Sequence, residues 1–380
     1  MGEAATDAAD TTAATVTTSA ADESGTGESP TLCLSTVAID LDTTDGFIDF
    51  ADVDGDARPE LWRRRILRRR GQGADASRLD AFLVELDGST TPVGTHQFDA
   101  FFSRYADVDG DGGHDLVTEL RGARSWHRGQ ADSSFALPQP IAVVDEIFES
   151  WLDADGDGDA DVFASQDSSD ASVTLYLGDG GGELTNAGTA EFPIGAWITS
   201  VVPTPEPGVF VATDYNGAIG FGVASSYWRI AVDVAGVPTA VVGTPELPNT
   251  ALIAANDLDD DGVTDILTIQ GDSPAELHLW TEAGDGYVGR TVAVDVAEVA
   301  VGEFLGGGGV ELLFTDLAGS LWLLPAPIED GAEPLAVEGM LSGIFRVIDL
   351  GGDGQDEVVS AAQSVEGSTE YAMHNIVPCS

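Results

Sequence analysis

Lysine is absent from this chain. All 15 of its basic residues are arginine, set against 66 aspartates and glutamates in 380 residues, for a formal net charge of −51 at pH 7. Schiff-base and other lysine chemistry is therefore closed to it. So one-sided a balance repels DNA, RNA and anionic membrane over the whole surface, and the sequence predicts no nucleic-acid partner. It also suits a salty habitat. No Gly-x-Ser-x-Gly elbow and no His-Glu-x-x-His motif occurs. The five histidines, at 96, 114, 127, 278 and 374, lie far apart in sequence, and no catalytic set is expected from them. No apolar run is long enough to cross a membrane, and no stretch carries a long helical period.

Cysteine is nearly absent too, with only Cys33 and Cys379, one near each end. Residues 1–30 are poor in apolar side chains: after Met1, only Val16 is larger than alanine. Such a segment cannot bury enough surface to offset chain entropy, and it is expected to be a disordered, low-complexity spacer ahead of one folded domain at 31–380. It resembles the spacer behind the lipid anchor or signal peptide of bacterial surface proteins. No apolar signal core is present, so any export signal is expected to have been removed or to lie outside this sequence.

What the chain does have is one acidic pattern, repeated. Asp52-Val-Asp-Gly-Asp-Ala-Arg-Pro-Glu60, Asp107-Val-Asp-Gly-Asp-Gly-Gly-His-Asp115, Asp153-Ala-Asp-Gly-Asp-Gly-Asp-Ala-Asp161 and Asp257-Leu-Asp-Asp-Asp-Gly-Val-Thr-Asp265 place carboxylates at positions 1, 3, 5 and 9. That crowding of like charge is unfavourable unless a hard cation with oxygen ligands sits among them, and calcium is the natural candidate. An EF-hand needs a glutamate at position 12, where these four copies have Arg63, Thr118, Ala164 and Thr268. His114 falls inside the second copy, and its presence there is read as incidental.

The copies start 55 residues apart (52 to 107), then 46 (107 to 153), then 104 (153 to 257), the last being two periods. Degenerate copies follow at 303–311 and 349–357, and 198–212 keeps the apolar flanks around a Pro-Gly turn, giving seven units. Within a unit an apolar run, the loop, a second apolar run and an alternating run such as Val173-Thr-Leu-Tyr-Leu177 read as short antiparallel strands. Four-stranded units at this period are the mark of a β-propeller. The expected fold is all-β: a seven-bladed propeller of four-stranded antiparallel blades. Most of the seven tryptophans are then packing between blades.

The lead-in Phe47-Ile-Asp-Phe-Ala-Asp-Val-Asp-Gly-Asp56, Tyr105-Ala-Asp-Val-Asp-Gly-Asp-Gly112 and the stretch from Asp257 to Leu267 are similar to the FG-GAP/VCBS repeat, the calcium-binding blade of integrin α-chain propellers and many bacterial secreted proteins. The resemblance covers roughly 34–378 and departs in the fourth, sixth and seventh units. It implies that each acidic loop joins the first two strands of a blade on one rim, and that a ligand uses the other. About four calcium ions are expected. The expected side-chain ligands are Asp52, Asp54, Asp56 and Glu60; Asp107, Asp109, Asp111 and Asp115; Asp153, Asp155, Asp157 and Asp161; and Asp257, Asp259, Asp261 and Asp265. Backbone carbonyls are expected from Arg58, Gly113, Asp159 and Val263. Asp349, Asp353 and Glu357 should hold metal weakly, and Glu303 and Glu311 not at all.

In a propeller an N-terminal strand often completes the last blade. Here Leu34–Leu41 would pair with Tyr371–Pro378, closing the ring and bringing Cys33 and Cys379 within disulfide distance. A disulfide there implies an oxidising compartment. The one basic feature, Trp62-Arg-Arg-Arg-Ile-Leu-Arg-Arg-Arg70, either neutralises neighbouring acids or forms a ligand site. In the second case Arg68, Arg69 and Arg70 join Arg121, Arg124, Trp126 and Arg128 at the rim opposite the metals. The expected role is a calcium-binding, adhesion-type module for a protein or glycan ligand, extracellular or at the cell surface, and monomeric. The alternative is a calcium-dependent carbohydrate-active lyase or hydrolase on the same scaffold.

Overall fold

The structure is a computed structural model, and it describes residues 31–379 other than 40, 42–46, 68–75, 99–101, 121–122, 142–147, 166–171, 193–195, 205–207, 216–223, 233–236, 243–246, 249, 272–274, 284–285, 330, 342–343 and 364–368. The expectations for residues 1–30 fall outside the described part, as does the Pro-Gly turn within 198–212. Among the described residues every regular element is a strand, and no helix is long and apolar enough to cross a membrane.

The strands pair with their sequence neighbours. Phe47–Ala51, Glu60–Leu67, Ala76–Val84 and Thr90–Phe98 form one antiparallel sheet in chain order. Phe102–Ala106, Asp115–Leu120, Ala123–His127 and Gln139–Pro140 form the next, and Phe148–Leu152, Asp161–Ser165, Ser172–Leu177 and Thr185–Glu191 a third. Ala196–Pro203, Gly208–Tyr215, Ala224–Val232 and Pro238–Val242 follow, with Leu247–Pro248 as an extra edge on the third strand. Gly129–Gln130 and Ser134–Phe135 pair as a separate short hairpin, and the remaining strands make one sheet of eleven. It is continuous because Gly286–Gly302 pairs with Ala275–Ala283 through its first half and with Glu311–Asp316 through its second.

Second strands such as Asp161–Ser165 are apolar runs rather than alternating ones, whereas Glu60–Leu67 carries Arg63, Arg64 and Arg65 in its middle. Asp161–Ser165 and the first five residues of Glu311–Asp316 are buried throughout, because both faces of these strands are covered. Third strands alternate: in Ser172–Leu177 only Val173 and Leu175 are buried.

Successive sheets pack through successive apolar clusters. Phe163, Val173 and Leu175 meet Val209, Val211, Trp228 and Ile230 of the next sheet. Leu267, Leu277 and Leu279 meet Leu312 and Phe314, and Phe304, Leu313 and Leu323 meet Leu32, Val358 and Ile376. A further cluster joins Ile39, Val359, Tyr371 and Met373 to Leu61 and Val84 of the first sheet, so the succession returns to its start. The N-terminal strand Leu32–Ile39 pairs antiparallel with Thr369–Pro378, Leu32 opposite Pro378 and Ile39 opposite Tyr371. Its first two residues also run parallel to Leu335–Glu338. Cys33 and Cys379 are bonded, their Cα atoms 5.0 Å apart.

Candidate metal loops

Each acidic loop lies between the first and second strand of its group: 52–60, 107–115, 153–161, 257–265, 303–311 and 349–357. All six are built on one hydrogen-bond frame. The position-1 carboxylate accepts backbone N–H groups of positions 5 or 6: Asp107 from Asp111 and Gly112, Asp257 from Asp261 and Gly262, Asp349 from Asp353 and Gly354. Glu303 does the same toward Gly308, Asp52 toward Asp56 and Ala57, and Asp153 toward Gly158. The position-5 carboxylate, where there is one, accepts the N–H of position 7, as Asp56 does from Arg58 and Asp261 from Val263. Positions 4 and 6 have positive φ in every copy, which explains the glycines there; Ala57 (φ 68°) and Asp260 (φ 62°) are the two residues with side chains that adopt it.

The position-9 carboxylate is a latch. It is buried in all six loops, Glu60 at 0% exposure and Glu357 at 5%. One of its oxygens accepts the N–H of position 2: Glu60 from Val53 at 2.9 Å, Asp115 from Val108 at 3.0 Å, Asp161 from Ala154 at 2.8 Å and Asp265 from Leu258 at 3.0 Å. Glu311 and Glu357 hold Phe304 and Leu350 in the same way. The six position-2 side chains are themselves buried apolar plugs, so latch and plug pin the loop to the core together. This use of position 9 was missed from sequence. Its signal was available: an apolar residue at position 2 and an acid at position 9 persist in the two loops that lack a carboxylate at position 3.

The four full loops differ from the degenerate pair in how their carboxylate oxygens gather. In each, three carboxylate oxygens come within 4.8 Å of one another: those of Asp52, Asp54 and Asp56; of Asp107, Asp109 and Asp115; of Asp153, Asp155 and Asp161; and of Asp257, Asp259 and Asp265. No such group forms at 303–311 or 349–357 among the described residues. Two oxygens bound to one calcium at about 2.3–2.6 Å are at most about 5 Å apart, so the spacing fits. Buried oxygens without a hydrogen-bond partner point the same way: Oδ1 of Asp54, Asp109, Asp159, Asp259 and Asp265, and Oε1 of Glu60. Oxygen-only donor sets of this kind suit a hard divalent cation.

Electrostatics agree with the geometry. Burial, opposed by backbone N–H donors and reinforced by neighbouring carboxylates, pushes Asp115 and Asp265 up to about 7 and Asp161 to about 6. Burial raises Asp54, Asp109, Asp155 and Asp259 above the ordinary range as well. A cation among them would reverse each shift. Arg58 turns away, pairing with Glu85 at 3.1 Å.

Adjacent loops touch in series. The carbonyl of Asp52 accepts the backbone N–H of His114, and the His114 ring lies 3.2 Å from the same oxygen, so His114 ties the 52 and 107 loops together rather than being incidental. Gly110 lies tightly against Gly158, and Gly352 lies against the carbonyl of Ala57 too closely for a side chain. Asp356 donates its N–H to the Glu303 carbonyl at 2.7 Å, and the 257 and 303 loops line one cavity of about 350 Å³.

The expected arginine rim is rearranged. Arg63 and Arg65, with Arg78 from the next strand, converge on buried Asp80 at 2.9, 2.7 and 2.7 Å. Burial alone would raise Asp80; hydrogen bonds from Arg63, Arg78, Arg65 and Thr95 outweigh it and hold the carboxyl well below its usual range. Arg124 pairs with Glu119 at 3.4 Å. Trp126 is not a rim residue: at 2% exposure it packs among Val108, Val117, Ile141 and Ala160. Arg128 sits at the acidic loops, not at the opposite rim, because Ala123–His127 carries the chain from one end of the sheet to the other. Arg68, Arg69, Arg70 and Arg121 lie outside the described residues.

One pair resembles a nucleophile and its base. His374 has Ser360 Oγ 2.7 Å from Nε2 and Thr36 Oγ1 2.9 Å from Nδ1, and burial pushes its pKa down to about 4. Thr118 with His127 and Thr268 with Trp280 repeat the contact at corresponding strand positions. In all three the contact ties the second strand to the third.

Residues 153–217 match the model of an FG-GAP-like repeat. No curated protein matches the sequence. Among solved structures, the chain is similar to a Photorhabdus luminescens Tc holotoxin pore (14% identity, TM-score 0.43, 83% of this chain but only 17% of that one). It is also similar to an Agrocybe aegerita lectin that recognises non-reducing terminal N-acetylglucosamine (13% identity, TM-score 0.49, 82% of this chain and 90% of that one). A third likeness is to Pseudomonas brassicacearum lignostilbene dioxygenase (10% identity, TM-score 0.49, 93% and 94%).

Proposed function

We propose that this chain is a seven-bladed β-propeller whose four full acidic loops bind calcium, and that it serves outside the cytoplasm as a binding module for a protein or glycan. The observation that carries the reading is the group of three carboxylate oxygens gathered within 4.8 Å in each of those four loops, together with the buried oxygens of Asp54, Asp109 and Asp259 that have no hydrogen-bond partner. The degenerate loops keep the same backbone frame without such a group, which supports a metal role for the extra carboxylates beyond turn formation. The apolar clusters that join each sheet to the next, Trp62 with Leu116, Trp126 with Ala160 and Tyr227 with Ile266 among them, and the one that joins the last strands to the first sheet support the ring. The Cys33–Cys379 bond supports an oxidising compartment.

Thermal melting tests the metal part. A cation bound only by the native state stabilises it by mass action, so chelator should lower the melting temperature and added calcium should restore it. Identical melting in chelator and in millimolar calcium would refute it.

A further inference from the structure

We propose that Arg128 is a built-in counter-cation of the 107 loop and sets that loop's affinity for divalent cations below that of the 52, 153 and 257 loops. The inference rests on the calcium reading above and adds that the four loops are unequal.

Arg128 directly follows the strand Ala123–His127, whose far end reaches the acidic loops. Its Nε lies 2.7 Å from Asp109 Oδ2 and its Nη2 lies 2.7 Å from Asp111 Oδ2. Those are positions 3 and 5 of the loop, two of the four expected side-chain ligands. Asp109 is well shielded, its side chain 8% exposed, so the pair is not merely a solvated surface contact. Arg58, within the 52 loop, reaches out to Glu85. Arg290, whose charge acts on Asp259, donates to the carbonyl oxygens of Ile328 and Glu329.

The same segment treats the neighbouring loop differently. Just beyond Arg128 the hairpin of Gly129–Gln130 and Ser134–Phe135 brings Ser133 to the 52 loop, where its hydroxyl donates to Asp54 Oδ2 at 3.1 Å. Ser133 is buried and held at φ 53°. A neutral hydroxyl orients a carboxylate without cancelling its charge. A guanidinium orients two carboxylates and also neutralises one charge, while placing a full positive charge a few ångströms from where a cation would sit. Orientation alone would strengthen cation binding; the added charge repels the incoming ion and competes for its oxygens. Charge decides the sign, because repulsion from a divalent ion is doubled and Asp109, the deeper of the two partners, is shielded from water.

Native mass spectrometry of the full chain over a series of free calcium concentrations, with Arg128→Gln, Arg128→Lys and Arg128→Gln/Asp107→Asn beside the parent, gives the test. At limiting calcium Arg128→Gln should carry one ion more than the parent, its added site at least about tenfold tighter. The extra ion should vanish in the double variant, and Arg128→Lys should keep the parent count. In chelator, Arg128→Gln should melt below the parent, since the 107 loop has lost its counter-charge. An unchanged or lower count in Arg128→Gln overturns the inference. If the parent still binds calcium in that event, the calcium reading stands and only the inference falls; if neither protein binds any, both fall.

Discussion

Glu357 separates the two things a ninth-position carboxylate does. It sits in a loop without a position-3 acid, so it latches Leu350 without belonging to a cation group. Burial holds its carboxyl up at about 7. Glu357→Gln keeps an oxygen for the Leu350 N–H and removes the cost of a buried charge, so denaturation in chelator should find it as stable as the parent or more so. Glu357→Ala leaves that N–H unsatisfied in the core and should cost about 1–3 kcal/mol. Equal losses in both variants would contradict the latch. A ninth-position acid looks the same in sequence whether it binds metal, a backbone N–H or both, which is why the spacing pointed to the loops but not to this division of labour. Arg128 was misplaced for a related reason. Arg124 and Arg128 look like one cluster in the sequence, yet four residues of strand separate them by roughly 13 Å.

Among the strands, alternation and apolar runs marked the second and third of each group well, because burial on one face or two leaves distinct patterns. The strand Gly286–Gly302 was less legible: the only local mark of where it leaves one partner for the next is Asp295, which adopts a positive φ (59°) at the change of partner. The N-terminal strand was expected at 34–41 and is found at Leu32–Ile39, two residues earlier, still opposite Tyr371–Pro378. Cys33 therefore lies opposite Val377, and the Cys379 N–H bonds the Thr31 carbonyl at 2.9 Å, which locks the last residues of the strand pair at the disulfide. The bond closes a loop of 346 residues. Constraining so long a loop in the unfolded chain stabilises the native state by about 2–5 kcal/mol, so Cys33→Ser/Cys379→Ser should lose about that much in chemical denaturation. Unchanged stability would mean that strand pairing and the Ile39, Tyr371 and Met373 cluster hold the closure unaided.

For the whole molecule, charge and architecture meet in the acidic loops. They touch one another in series, so carboxylates that are far apart in sequence lie close together in a protein of net charge −51. Self-repulsion on that scale weakens a compact state unless cations or salt offset it. In the proposed propeller, calcium bound between first and second strands would offset it where it is densest and fix the entry to each fully covered strand. The most direct measurement is anomalous diffraction from crystals grown in calcium. Peaks should appear within about 2.3–2.6 Å of carboxylate oxygens in the 52, 153 and 257 loops, with the 107 loop weaker or filled only at higher calcium. The 303–311 loop should show none. A map with no peak in any of the four full loops would contradict the account, however well the strands agreed.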